Sequence, residues 1–119
     1  MINITAMINR VKSHPRYPEV GMIVCHTGVV RGTSRNGRPV SALEVKVDRD
    51  RLKEVIAGYK QKPGIVDIMV EANQGTLNVG DDIMAVVVAG DIRENVFPVL
   101  QEVVDMIKRD VARKREYFA

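Results

Sequence analysis

Two groups of cations stand out in the 119-residue chain. Arg31, Arg35 and Arg38 lie in TGVVRGTSRNGRPV (27–40), which holds no acid, and Lys108, Arg109, Arg113, Lys114 and Arg115 cluster near the end. Arginine offers a planar fork of donors that matches phosphate and carboxylate, and a partly desolvated lysine can act as acid, base or nucleophile. These residues suit the binding and turnover of an anion or a carbonyl compound. Other chemistries lack their residues. The segment GTSRNG (32–37) spaces two glycines like a phosphate loop, but that loop needs Lys and then Ser or Thr after its second glycine, at a helix start. Arg38, Pro39 and then a strand-like run follow instead. His14, His26 and Cys25 lack metal-ligand spacing, so no metal site is expected. Cys25 has no disulfide partner and reads as a small buried hydrophobe. No local grouping supports a Ser/His/Asp or Cys/His nucleophile. Tyr17, Tyr59 and Tyr117 are scattered, and without aromatics interleaved among the cations a nucleic-acid partner is not expected.

These cations need elements to hold them. Hydrophobic residues make up 45% of the chain and charged ones 28%, an ordinary globular balance, and one domain spanning 1–119 is expected. The formal charge of +3 is mild, so basic residues matter only where they cluster. No apolar run approaches the roughly 20 residues that span a bilayer, and the start lacks a signal-peptide pattern, so a soluble, cytoplasmic protein without a membrane partner is expected. Ile4, Met7, Ile8 and Val11 share one face of a predicted helix over 4–13, capped by Asn3 or Thr5 and ended by HPRYP (14–18). Runs at 21–30 and 39–47 read as strands, with Asn36-Gly37 between them as a hairpin signal. Asp48 or Asp50 caps a helix to about residue 62, striped by Leu52, Val55, Ile56 and Tyr59, and Pro63-Gly64 stops it. Two more strands are predicted at 65–72 and 82–89, joined by a turn-rich connection. A last helix is predicted over 94–117, with Pro98 tolerated in its first turn. The fold class is α+β: strands packed with segregated helices.

On that last helix, at roughly 100° per residue, Leu100, Val104, Ile107, Val111 and Phe118 fall within about 80° of Phe97 and define the expected buried stripe. Lys108 then lies about 20° and Arg115 about 0° from Phe97, at the edge of the stripe, while Arg109 and Arg113 point away. Two readings of Lys108 and Arg115 stay open on geometry: stems laid on the core with heads in water, or walls of an anion pocket. Arg31, closing a strand before Gly32, presents the same choice. Arg35 and Arg38 read as surface charge, or as mobile contacts to a substrate.

From about Gly21 to Glu116 the order of motifs resembles the catalytic (large) subunit of molybdopterin synthase. The resemblance rests on GMIVCHTGVVR (21–31), VSAL (40–43), GTLNVGDDI (75–83) with its Gly-x-Leu-x-x-Gly-Asp pattern, and RENVF (93–97) opening a helix that carries Lys108. It implies an α/β hammerhead-like fold with an antiparallel sheet and flanking helices. It also implies a homodimer that takes up a small ubiquitin-like sulfur carrier on each side, giving a heterotetramer. The carrier's C-terminal Gly-Gly tail, as a thiocarboxylate, delivers two sulfurs to a cyclic pyranopterin monophosphate to make molybdopterin, without a metal or organic cofactor. By this resemblance Lys108 matches the essential lysine, and Arg31 and Arg93 match arginines of the anion pocket. A second lysine falls at Arg115 with Lys114 beside it, so both are carried as substrate contacts. Ile92 stands where the family usually has histidine, and Ala72-Asn73 replaces another His-Arg pair. The implied activity is a sulfurtransferase of molybdenum cofactor biosynthesis. The alternative is a non-catalytic paralogue that binds a phosphorylated metabolite or a carrier tail.

Overall fold

The computed structural model describes residues 2–119. Helix α1 (Ile4–Lys12) begins where the Asn3 side chain accepts the Ala6 N–H at 2.9 Å, and it buries Met7 and Val11. Strand β1 (Met22–Val29) leads through a loop to β2 (Val40–Val47), and Asp48 then caps α2 (Arg49–Lys60) by accepting the Arg51 N–H at 3.0 Å. Strands β3 (Ile65–Ala72), β4 (Gly75–Asn78) and β5 (Asp82–Gly90) follow, then α3 (Arg93–Met106), a π-helical turn (Ile107–Val111) and β6 (Ala112–Phe118).

The strands form two antiparallel three-stranded sheets, ordered β1-β5-β3 and β4-β2-β6. Strand β5 is apolar at nearly every position because both of its faces are covered. Ala85, Val87 and Ala89 pack with Met7 and Val11 of α1, and these small side chains let the helix lie close. Met84, Val86 and Val88 face the main core, which Leu52 and Val55 of α2 and Val96, Val99 and Val103 of α3 complete. An antiparallel sheet with flanking helices is thus what the chain builds, as expected.

Five local expectations are corrected, the first being Cys25, which is exposed and not buried. Asn36-Gly37 does turn the chain, with Gly37 at φ +87°, yet β1 and β2 are not a hairpin. The turn closes within the loop, where the Ser34 N–H donates to the Arg38 carbonyl at 2.8 Å, and the two strands then enter different sheets. Residues 75–78, expected as part of a connection, form β4 against Ala42–Val45. The final helix stops at Met106 rather than 117, because its apolar stripe ends at Val111 and the open edge of β2 takes residues 112–118 as a strand. The stripe is also rotated. Val96, Val99, Val103, Val104 and Ile107 are buried, whereas Phe97 is 53% exposed.

Two glycines predict opposite responses. A Cβ on Gly90 would lie 2.5 Å from the Gly64 carbonyl oxygen and 2.6 Å from a Val96 methyl, whereas one on Gly58, inside α2, meets nothing within 4 Å. Gly90→Ala is expected to lower unfolding stability by about 1–3 kcal/mol. Gly58→Ala should raise it by about 0.5–1 kcal/mol, since alanine loses less entropy in a helix. Urea midpoints check both, and a neutral Gly90→Ala would contradict the packing at the β5–α3 junction.

Candidate functional site

A cleft of ≈600 Å³ opens between the loop after β1 and strand β6, with Val30, Leu43 and Ile83 among its apolar lining and Arg31, Arg35, Lys114 and Glu116 on its walls. The loop is ordered by its own hydrogen bonds. Ser34 is the buried polar residue of this segment: its hydroxyl accepts the Arg38 N–H at 3.1 Å and bonds the Asn36 side chain. The Arg31 Nε–H donates to the Thr33 carbonyl at 2.8 Å. Closing the loop on Ser34 leaves Arg35 on the cleft wall, while the Arg38 guanidinium lies over the Phe118 ring, 3.7 Å from its centroid. Arg38 therefore braces the rim, and Arg35 lines the cleft rather than standing as plain surface charge.

Strand alternation decides which C-terminal cations join them. Lys114 pairs with buried Val45 and Glu116 with buried Leu43, so their side chains take the inner face of the β4-β2-β6 sheet. Arg113, Arg115 and Tyr117 take the other face. Arg115 sits opposite Glu44, and its guanidinium lies 5.3 Å from the Tyr117 ring centroid. The expected pairing of Lys108 with Arg115 on one helical face is thus replaced by Lys108 with Lys114. Although Lys114 is exposed as a whole residue, its ammonium ends in the crowded cleft wall. Desolvation there, followed by the charges of Lys108 and Arg35, lowers its pKa.

Lys108 stands exposed on the π-helical turn between buried Ile107 and Val111. That turn is anchored from α2: the Asp110 carboxylate accepts from Arg51 at 3.2 Å, and the Val111 carbonyl accepts the Asp48 N–H at 2.9 Å. Arg109 at 3.2 Å adds to Arg51, and together they hold the Asp110 carboxyl below its usual pKa. His26, on the β1 face toward α3, feels the same cluster. Its pKa is lowered by desolvation first, then by the charges of Lys108 and Lys114. Arg35 lines the cleft, the second of the two readings that the sequence left open, while the cation neighbours of His26 were not disclosed by the sequence. The signal for Arg35 was its place in an arginine-rich loop without an acid, and nothing local to His26 pointed to a cation neighbour.

Arg93 lies elsewhere. Arg31 follows β1 at the end where Val29 meets Asp82, and Arg93 follows β5 at the other end, where Met22 meets Gly90. About 25 Å of sheet separates them at roughly 3.3 Å per residue. The Arg93 side chain is 77% exposed and paired with Glu94 at 3.1 Å, beside Ile92. Among the described residues, no group of three His, Cys, Asp or Glu is placed to hold a metal, and no helix is long and apolar enough to cross a membrane.

Comparison with known proteins follows this geometry. The family described as MoaE protein matches residues 1–110. An uncharacterized protein of Methanocaldococcus jannaschii is 31% identical over 93 residues, covering 75% of this chain and 78% of that protein. Molybdopterin cofactor biosynthesis protein E from Burkholderia multivorans superposes with a TM-score of 0.77 at 26% identity, over 99% of this chain and 85% of that one. A complex of subunits 1 and 2 of the molybdopterin-converting factor from Helicobacter pylori contains a chain that superposes with a TM-score of 0.73. At 16% identity, over 98% of this chain and 80% of that one, it supports the fold.

The crowding of like charges makes a direct prediction. Removing the Lys108 ammonium in Lys108→Met should raise the pKa of both Lys114 and His26, since its charge helps to lower each. NMR titration of the ¹³C-dimethylated lysines and of the imidazole ring reads both. Unmoved values would show that Lys108 does not face the cleft.

Proposed function

The chain belongs to the MoaE protein family, and on that premise we propose that it is the large-subunit sulfurtransferase of molybdenum cofactor biosynthesis, converting cyclic pyranopterin monophosphate to molybdopterin. The observation that carries the reading is the cleft itself. Arg31, Arg35 and Lys114 line one concave surface, and Lys108 is near enough to perturb Lys114. A phosphate-bearing substrate needs several convergent cations, and the two arginine forks with one lysine supply them. Once the sulfur of the thiocarboxylated Gly-Gly tail has bonded to the pterin, water adds to the tail's acyl carbon and the C–S bond breaks, releasing the tail as a carboxylate; negative charge develops on the acyl oxygen during this step, and the Lys108 ammonium stabilises it. Lys114, whose pKa is lowered by its surroundings, gives up a proton more readily than an ordinary lysine and so suits acid–base work beside it. In this reading Lys114, not Arg115, stands in for the family's second lysine at the cleft.

The small sulfur carrier enters as partner because the similar Helicobacter pylori chain is part of a complex of two subunits. In this reading the chain works as a homodimer that takes a carrier on each side, without metal or organic cofactor. Arg93, about 25 Å from its own chain's Arg31 along the sheet, contributes only if it reaches the cleft of a second copy. A binding protein without turnover is favoured by one feature: exposed Ile92, which has no proton to exchange, at the place where the family usually carries histidine.

Reconstitution with a thiocarboxylated small subunit and the pterin precursor separates the two. Molybdopterin is expected from the wild type. Lys108→Ala should cut the rate roughly 100-fold or more, the range for a lost acid–base or charge-stabilising group. Lys114→Ala should cost roughly tenfold or more, as loss of a charge-assisted contact does, while Arg115→Ala stays within about twofold. No product from the wild type would sink the enzyme reading. Equal losses at Lys114 and Arg115 would sink the assignment by strand face.

A further inference from the structure

The reaction as proposed leaves His26 unused. Its position on β1 opposite Val86 turns the ring toward α3, where it borders a second depression of ≈330 Å³ with Phe97, Leu100, Val104 and Asp105. Its Nε2 is buried and, among the described residues, has no hydrogen-bond partner. Buried polar atoms are almost always paired, so this one calls for an atom that the unliganded chain does not supply. Lys108 follows Val104, which borders the depression, by one turn, and Lys114 lies on the inner face of β6; the charges of both reach the ring.

We propose that His26 is a reserve cation of the anion site: an oxyanion or terminal carboxylate held by Lys108 and Lys114 draws one solvent proton onto His26, whose Nε2–H then donates to it. The proton balance is complete, since neutral His26 and a solvent proton give the imidazolium and no other bond changes. The groups facing the ring are Lys108 from the π turn, Lys114 from β6 and Asp105 from α3, with Arg35 beyond Lys114, while β5 presents apolar side chains. Without ligand, desolvation and the two lysine charges hold His26 below its ordinary pKa, so the ring is neutral near pH 7. A bound anion reverses the sign of the local field, and the pKa rises. Anion affinity therefore grows as pH falls through the interval between the two values and is flat above it. The inference rests on the sulfurtransferase reading only for the two anions to try, a phosphate and a Gly-Gly carboxylate; proton uptake does not depend on turnover.

Inorganic sulfate and an N-acetylated peptide ending in Gly-Gly are suitable probes, because neither titrates between about pH 6 and pH 8. Calorimetry in buffers of different ionisation enthalpy should show proton uptake on binding at about pH 6 and almost none at about pH 8, with affinity rising by up to about tenfold between them. His26→Gln should abolish the uptake and flatten the pH dependence while keeping the affinity at the higher pH. In the wild type, the ring resonances of His26 should titrate at higher pH with the anion than without it, a readout that needs no variant. A response to sulfate alone assigns the subsite to phosphate, and a response to peptide alone assigns it to the carrier tail. Uptake that survives His26→Gln, a His26 titration unmoved by either anion, or no binding of either would overturn the proposal. Intact proton uptake in a chain that makes no molybdopterin would instead sink the synthase reading and leave this inference standing.

Discussion

The pairing of β6 with β2 is the constraint on which the cationic cleft depends. Strand β2 has β4 along one edge, and the other edge would be left with unpaired backbone donors and acceptors if residues 112–118 went elsewhere. Pairing from Val47 with Ala112 to Val40 with Phe118 satisfies them, ends the preceding helix and imposes a two-residue alternation on a segment rich in cations. Lys114 and Glu116 are thereby turned inward over Val45 and Leu43, and Arg113 and Arg115 outward. Had the helix continued, Arg115 and not Lys114 would have stood over Lys108, two helical turns away.

A site built this way is electrostatically uneasy when empty. Lys108, Lys114, Arg35 and His26 crowd one region, with Glu116 as the acid on the same wall. The sign of the consequence follows from linkage. The unfolded chain holds the Lys114 proton at the ordinary lysine value, whereas the folded chain holds it less tightly, so folding releases protons between those two values. The contribution of Lys114 to stability is therefore fully present above the ordinary value and is lost as pH falls through the lowered one, the reverse of an ion-paired lysine. An anion that binds the folded cleft removes this penalty, so ligand and fold stabilise each other. The α2 contacts to Asp110 and Val111 keep the π turn in place against that repulsion.

What was legible in the sequence was whatever a local signal determines. Asp48 ahead of the Leu52 and Val55 stripe announced α2, and the run 65–72 matched β3 to the residue. Strand β6 was hidden because Ala, Arg, Lys and Glu favour helices, and only the open edge of β2, distant in sequence, overrides that preference. Asn36-Gly37 gave a true turn and a false hairpin, since a turn sets local direction and not the sheet that each strand joins. Arg31 and Lys108 were legible as candidates through resemblance and position. Arg35 owes its place to the buried hydroxyl of Ser34, which closes the loop beneath it, and no periodicity reports a single hydroxyl. His26 looked inert because its cation neighbours arrive from residues more than eighty positions later in the chain.

The π turn at Ile107–Val111 joins two elements that count residues differently. A helix advances its side chains by about 100° per position, while a strand reverses them at every step. One residue added to or removed from this turn would hardly move Lys108, yet it would exchange the inward and outward sets of the whole following strand. The turn thus acts as a phase adjuster: with one more residue in it, the same cleft would need its second lysine seven positions after the first and not six. Comparisons across this junction should match the parity of the second lysine within its strand, because its distance from the first is free to drift.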